Sequence, residues 1–317
     1  MKTLFKIIVI VFAGPVCFSQ ALTTKADSLR RLGRLDKAIP IYKKVYSATP
    51  ENQQNTYNLA CAYALTYQID SAYSYLDKAL KKDASLWALA DPDLYALAND
   101  ARWTELQTQQ LEKYQNDNGP LKAPQYTKAL LTLIVKDQAL DFYVDLAKRD
   151  YVQEGYIPAW YYPLGAMKQR IVRENFQTLK TLINAYGWPK YSQVGTLAAD
   201  APLLVINHHE SDSVRKAYLP VIKQACLEGE GSCLEYAKIQ DRILVNDGNP
   251  QLYGMQFRYT ATRQLEPFPI LDPEHVDARR KAIGLESLKT YLKRKINYDW
   301  RIVQKDCPIS DIKNSGK

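Results

Sequence analysis

Two stretches of this 317-residue chain carry residue types that can do chemistry together. "DRILVNDGNPQLYGMQF", residues 241 to 257, sets Asp241 and Arg242 before a tight turn and Gln251, Tyr253 and Gln256 after it. "LLVINHH", residues 203 to 209, ends in adjacent histidines, His208 and His209. Several polar groups brought near one turn can line a ligand or catalytic site. The catalytic candidates are therefore His208, Asp241, Arg242 and Tyr253, with Gln251 and Gln256 as ligand-binding amides. The competing reading is structural, with these groups satisfying one another and pinning the turn.

Helical spacing sharpens the choice. On a helix from Ser232 to Val245, Leu234, Ala237, Leu244 and Val245 form an apolar stripe with Asp241 in its middle, while Arg242 faces the polar side with Glu235 and Lys238. A carboxylate on an apolar stripe must find donors, because burial penalises its charged form. Tyr253, Gln251, Gln256, Arg279 and Arg280 are the expected donors once the chain folds back past Gly248. His208 lies on a similar stripe with Ala201 and Leu204 and is expected near Asp241.

Several chemistries are unsupported. There is no G-x-S-x-G nucleophile elbow, no phosphate-binding glycine loop and no dinucleotide fingerprint. His208-His209-Glu210 is not H-E-x-x-H, and adjacent side chains on a helix project about 100° apart. No metal and no organic cofactor is expected.

The elements that must position these residues are mostly helices. Residues 126 to 149 and 167 to 186 carry helical spacing, the second stopping at Tyr186-Gly187-Trp188-Pro189. Asp200 and Asp212 are expected to cap helices, and Ser232 with Glu235 has capping-box spacing. Residues 251 to 260 alternate as a strand would, and Asp272-Pro273 opens a last helical pair broken at Gly284. The aromatic segment "YVQEGYIPAWYYP", 151 to 163, is expected to pack between helices, with a stacking platform for a sugar or peptide as the alternative.

The start of the chain looks like an export signal. Lys2 and Lys6 precede an apolar run from Ile7 to Ala13 that is too short to span a bilayer, with cleavage expected near Ser19 and Gln20. A lipoprotein anchored through Cys17 is the alternative, although Val16 stands where a small residue is usual. Localisation is thus expected to be periplasmic or secreted, with no membrane span. The basic surplus, 42 Lys and Arg against 34 Asp and Glu, is absent from residues 21 to 120, which hold 12 of each. Spread thinly over the second half, it makes no nucleic-acid footprint. Export would permit a Cys226–Cys233 disulfide across a short loop, Cys61 sits in an apolar run, and no CxxC is present.

"GRLDKAIPIYKKVYSATP" aligns with "YQIDSAYSYLDKALKKDA" at an offset of 34 residues, superposing Asp36 on Asp70, Ala38 on Ala72, Tyr42 on Leu76 and Val45 on Ala79. A 34-residue period with alanine at the helix crossings resembles tetratricopeptide repeats. Lys25 and Pro40 depart from the pattern, so the second pair is the better match, and residues 57 to 106 resemble the end-of-group variant. Such arrays imply a protein partner, or a brace for the second half of the chain. "NDNGP", 116 to 120, is the expected boundary between a repeat domain over 21–118 and a second domain over 119–317.

The second half resembles a family of bacterial domains known as domain of unknown function 6624. The matching segments are "KDQ" (136–138), "YGWP" (186–189), "LLVINHH", "DRILVNDGNPQLYGMQF" and "VDARRKAIGL" (276–285). The resemblance adds Gly254 and Asp277 to the candidate residues. Met255 replaces a threonine usual in the motif, and no arginine follows "DQ" closely. The family implies a site without naming a reaction. The expected fold class is mainly α, a short helical-hairpin repeat array followed by a mostly helical domain with a small β-hairpin. The expected function is a binding or interaction protein, with a hydrolase-like envelope enzyme built on His208, Asp241 and the 251–256 segment as the alternative. Its small-molecule or glycan ligand is left open.

Overall fold

A computed structural model of the chain describes residues 15–302. The charged start, the apolar run to Ala13 and Cys307 lie outside them. The chain divides into two compact units, one of Met1–Ala88 with Asp93–Asp117 and one of Leu89–Pro92 with Asn118–Lys317.

The first unit is built from α1 (Pro15–Arg31), α2 (Leu35–Ala48), α3 (Gln53–Leu65), α4 (Ile69–Ala79) and α5 (Arg102–Asn118). α1 packs on α2 and α3 on α4, as successive helical hairpins. Ala38 and Ala72 are fully buried at the crossings, and Tyr42, Val45, Leu76 and Ala79 are buried with them. A larger residue at either alanine would force the helices apart in a close-packed interior. Polar groups align the array: the Tyr42 hydroxyl and the Asn58 amide both donate to Asp27 Oδ1, at 2.6 and 2.7 Å. Ser19 is buried and its hydroxyl lies 3.0 Å from that of Thr49, so α1 joins the array from Ser19 onward. Pro40 sits inside α2 without ending it.

The second unit places α6 (Pro124–Gln138), α8 (Tyr161–Tyr186) and α11 (Ala201–His208) in mutual contact. Tyr126, Leu130 and Leu131 of α6, Leu179 of α8, and Leu203, Val205 and Ile206 of α11 form its core. α7 (Asp141–Glu154) packs against α8, and the short α9 (Tyr191–Val194) and α10 (Thr196–Ala199) lead into α11. α12 (Asp212–Leu227) and α13 (Cys233–Asn246) form a hairpin clasped by a Cys226–Cys233 disulfide. β1 (Phe257–Tyr259) then pairs antiparallel with β2 (Leu265–Pro267), Arg258 opposite Glu266, and α14 (Val276–Ala282) and α15 (Leu288–Ile296) close the unit. No described helix is long and apolar enough to cross a membrane.

The mainly helical class with one small hairpin is as expected, but local details differ. The 126–149 segment is two helices, broken at Ala139-Leu140, which sets Asp137 at the end of one helix and Asp141 at the start of the next. Asp200 makes no cap; its carboxylate accepts the Tyr191 hydroxyl at 3.1 Å. Ser211 rather than Asp212 caps α12, and Asp212 pairs with Arg215 and Asn246. Ser232 caps α13 through the Glu235 N–H at 3.2 Å. Gln251 makes only an isolated bridge to Ile270, and residues 252 to 256 are not strand, because side chains take the Leu252, Tyr253, Met255 and Gln256 N–H groups that a neighbouring strand would need. The aromatic segment is not packed away either: Tyr156, Trp160 and Tyr162 are exposed.

Candidate functional site

The structure separates the candidates into two sets, one wrapped around Asp241 and the other lining a cleft with Arg242, the next residue of α13. Asp241 is fully buried, and its carboxylate accepts four contacts from backbone N–H groups of the following loop. Oδ1 takes Leu252 at 2.7 Å and Tyr253 at 3.1 Å, and Oδ2 takes Tyr253 at 3.0 Å and Met255 at 2.9 Å. Burial nevertheless outweighs these donors and raises the Asp241 carboxyl to about 6. The expected donors from Tyr253, Gln251 and Gln256 side chains are replaced by main chain, because the loop wraps around the carboxylate with its amides inward.

The rest of that motif completes the wrapping. Gln251, also fully buried, accepts the Gln256 N–H at 2.8 Å and donates to the carbonyls of Gln256 and Phe268 at 3.1 and 2.8 Å. Gln256 donates to the Lys238 carbonyl, Arg279 to that of Leu252, and Arg280 to those of Tyr253 and Glu286. Gly254 has φ 76°, and a Cβ there would overlap Leu288 Cδ1, so the turn requires glycine. Asp277 accepts the Leu288 N–H at 2.7 Å and seats α15. The Tyr253 ring is buried against that of Tyr236, their centroids 6.0 Å apart. Asp241, Gln251, Tyr253, Gly254, Gln256 and Asp277 thus take part in a backbone clasp, their polar groups engaged mainly by main chain.

His208 and Arg242 go elsewhere. They line an open cleft of about 330 Å³ with Asp141, Val144 and Asp145 from α7, Lys168, Gln169 and Val172 from α8, and Glu210. His208 Nδ1 lies 2.6 Å from Oδ2 of Asp137, which is fully buried at the end of α6. Burial pushes the Asp137 carboxyl up, but the His208 hydrogen bond, the charge of that ring and the Lys168 ammonium outweigh it and hold it below its ordinary value. An ionised carboxylate only accepts, so Nδ1 donates and Nε2 is the nitrogen left for a ligand. Gln138 also donates to Oδ2 at 2.8 Å, whereas Oδ1 has no hydrogen-bond partner and meets only Lys168 Nζ at 4.0 Å.

Arg242 is half-buried and makes one long hydrogen bond, to Asn207 Oδ1 at 3.4 Å. Among the described residues it has no ion-pair partner. Its neighbour Arg215 is fully engaged, by Asp212 and the carbonyls of Asn207 and His209. The other two histidines are accounted for: His209 accepts the Ser211 N–H and packs on Phe176, and His275 pairs with Asp272.

Asp137, Asp141 and His208 bring three potential metal ligands within 4.8 Å of one another. Lys168 already supplies a cation to that trio, its Nζ 2.6 Å from Asp141 and bonded to the Asp137 carbonyl. An entering metal ion would have to displace this ammonium. Asp137 and Lys168 were not among the sequence candidates. Asp137 had the same signal that marked Asp241, a carboxylate on an apolar helical stripe with Tyr126, Leu130 and Ile134. Nothing in its local sequence distinguishes Lys168.

A tetratricopeptide repeat model matches residues 19–52, the first helical pair rather than the second. Comparison with curated proteins and with solved structures gave no match. Over residues 125–301, more than half of its length and the whole span that builds both the clasp and the cleft, this chain belongs to the family of unknown function DUF6624.

Proposed function

We propose that the C-terminal domain is a hydrolase-like acid–base enzyme whose cleft is centred on His208, that the repeats dock a protein partner, and that the chain is exported. The observation that carries the enzymatic reading is a cleft histidine oriented by a fully buried, ionised carboxylate. With Nδ1 committed to Asp137, Nε2 accepts a proton from a bound water, the hydroxide adds to an electrophilic centre, and the proton passes to the leaving group. Among the described residues, the cleft lining contains no Ser, Thr or Cys, which favours activated water over a side-chain nucleophile. Export is supported by the charged, apolar start of the sequence and by the disulfide, which an oxidising compartment would maintain.

Imidazole ¹⁵N NMR of the full chain tests the first point. Neutral His208 should be the Nδ1–H tautomer in the native protein and lose that preference in Asp137→Asn. A panel of chromogenic esters and amides tests the second, with turnover expected to vanish in His208→Asn. An Nε2–H tautomer, or turnover indifferent to both substitutions, would remove the acid–base role.

A further inference from the structure

Of the three positively charged or chargeable groups among the described residues of the cleft, two are engaged from within the protein. His208 is held by Asp137, and Lys168 by Asp141 and the Asp137 carbonyl. Arg242 is different. It is half-buried at the cleft wall, with Asn207 as a distant hydrogen-bond partner at 3.4 Å and no carboxylate paired to it among the described residues. A guanidinium removed from water without a counter-charge is costly, and proteins usually supply an internal carboxylate in that situation. Here burial, and after it the Arg215 charge, lower the affinity of Arg242 for its proton and outweigh the opposing charge of Asp212, which is itself paired with Arg215.

We propose that Arg242 is the anchor for a carboxylate group of the ligand, so that the substrate class is a small monocarboxylic acid. This deepens the acid–base reading of the cleft and rests on it for the identity of the site. A guanidinium offers a planar fork of N–H donors that matches the two oxygens of a carboxylate. The rest of the lining argues for one negative charge rather than two. Asp141 is neutralised by Lys168, but Glu210 adds negative charge to the same cleft and disfavours a dianion such as hydrogen phosphate. The volume, about 330 Å³, lies at the small end of ligand pockets and suits a compact acid rather than a polymer. With the carboxylate on Arg242, the remainder of the ligand lies along the wall that also holds His208.

The test is a binding titration of the full chain by calorimetry or ligand-observed NMR, with N-acetylglycine, its uncharged analogue N-acetylglycinamide, and inorganic phosphate as probes. N-acetylglycine should bind most tightly, and Arg242→Gln should weaken it on the order of 10- to 100-fold, the loss of a charge-assisted pair. Arg242→Lys keeps the charge without the fork and should give an intermediate loss, which also guards against a misfolded glutamine variant. Equal binding of acid and amide, tighter binding of phosphate, no binding of the acid, or unchanged affinity in Arg242→Gln would each overturn the proposal. The His208 tautomer is read separately, so loss of the anion anchor and loss of the acid–base role give different results.

Discussion

Asp241 and Asp137 make a natural comparison, two fully buried carboxylates on apolar helical stripes of one domain. Asp241 is saturated. Both its oxygens are filled by backbone amides of a single loop, and burial still raises it to about 6. Asp137 has one oxygen turned to a histidine at a cleft, a second without a hydrogen bond, and a pKa held below the ordinary carboxylate value. The difference lies in what accepts the consequences of the charge. At Asp241 it shapes a loop, whereas at Asp137 it is passed to a side chain that solvent and ligands can reach.

The sharpest way to break this contrast is to remove Asp241. Asp241→Leu strands the Leu252, Tyr253 and Met255 amides and should cost about 3 to 4 kcal/mol of unfolding free energy. Asp241→Asn should cost nearly as much, about 2 to 3 kcal/mol, because its NH₂ would face N–H groups that now donate to a carboxylate oxygen. Denaturant unfolding measures both; a loss under about 1 kcal/mol for the leucine variant would mean that the clasp is not structural.

Gly254→Ala attacks the same clasp from the backbone. The positive φ and the overlap with Leu288 together should cost about 2 kcal/mol or more, without altering N-acetylglycine binding. If binding fell while stability held, the clasp and the cleft would not be separable.

Asp200 sharpens the electrostatic side. Burial, opposed by the Tyr191 hydroxyl, raises its carboxyl to about 6 from an ordinary 3.8. The folded state therefore binds the proton more tightly than the unfolded state. Its contribution is most favourable below about pH 4 and is lost as pH rises toward 6. Asp200→Asn keeps an oxygen for Tyr191 and removes this loss. It should be stabilised relative to the native chain by about 1 to 2 kcal/mol at about pH 7.5 and by little at about pH 4. Melting temperatures across that range decide it, and a difference independent of pH would contradict the assignment.

The smallest effect is expected where function is proposed. His208→Asn retains a donor near the Nδ1 position for Asp137, so stability should stay within about 1 kcal/mol while turnover disappears. A large stability loss would make the Asp137–His208 pair a second structural clasp.

The sequence alone determined the repeat period, with its alanines at helix crossings, because close packing of two helices leaves a residue-by-residue signature. It also showed that Asp241 needed donors and that Cys226 and Cys233 were spaced to join, while Gly254 and Asp277 entered through the family resemblance. Periodicity reports which face of a helix a residue occupies, and that was enough for these. It does not report what covers that face. Asp241 meets amides 11 to 14 residues ahead in a loop, whereas Asp137 meets a histidine 71 residues away. Only the tertiary structure decided that Asp241 closes a turn while its neighbour Arg242, about 100° around the same helix, faces an open cleft with His208. Adjacent residues on one helix thus ended in different environments, one saturated by main chain and one with no carboxylate paired to it among the described residues, because different segments of the chain pack against the two faces.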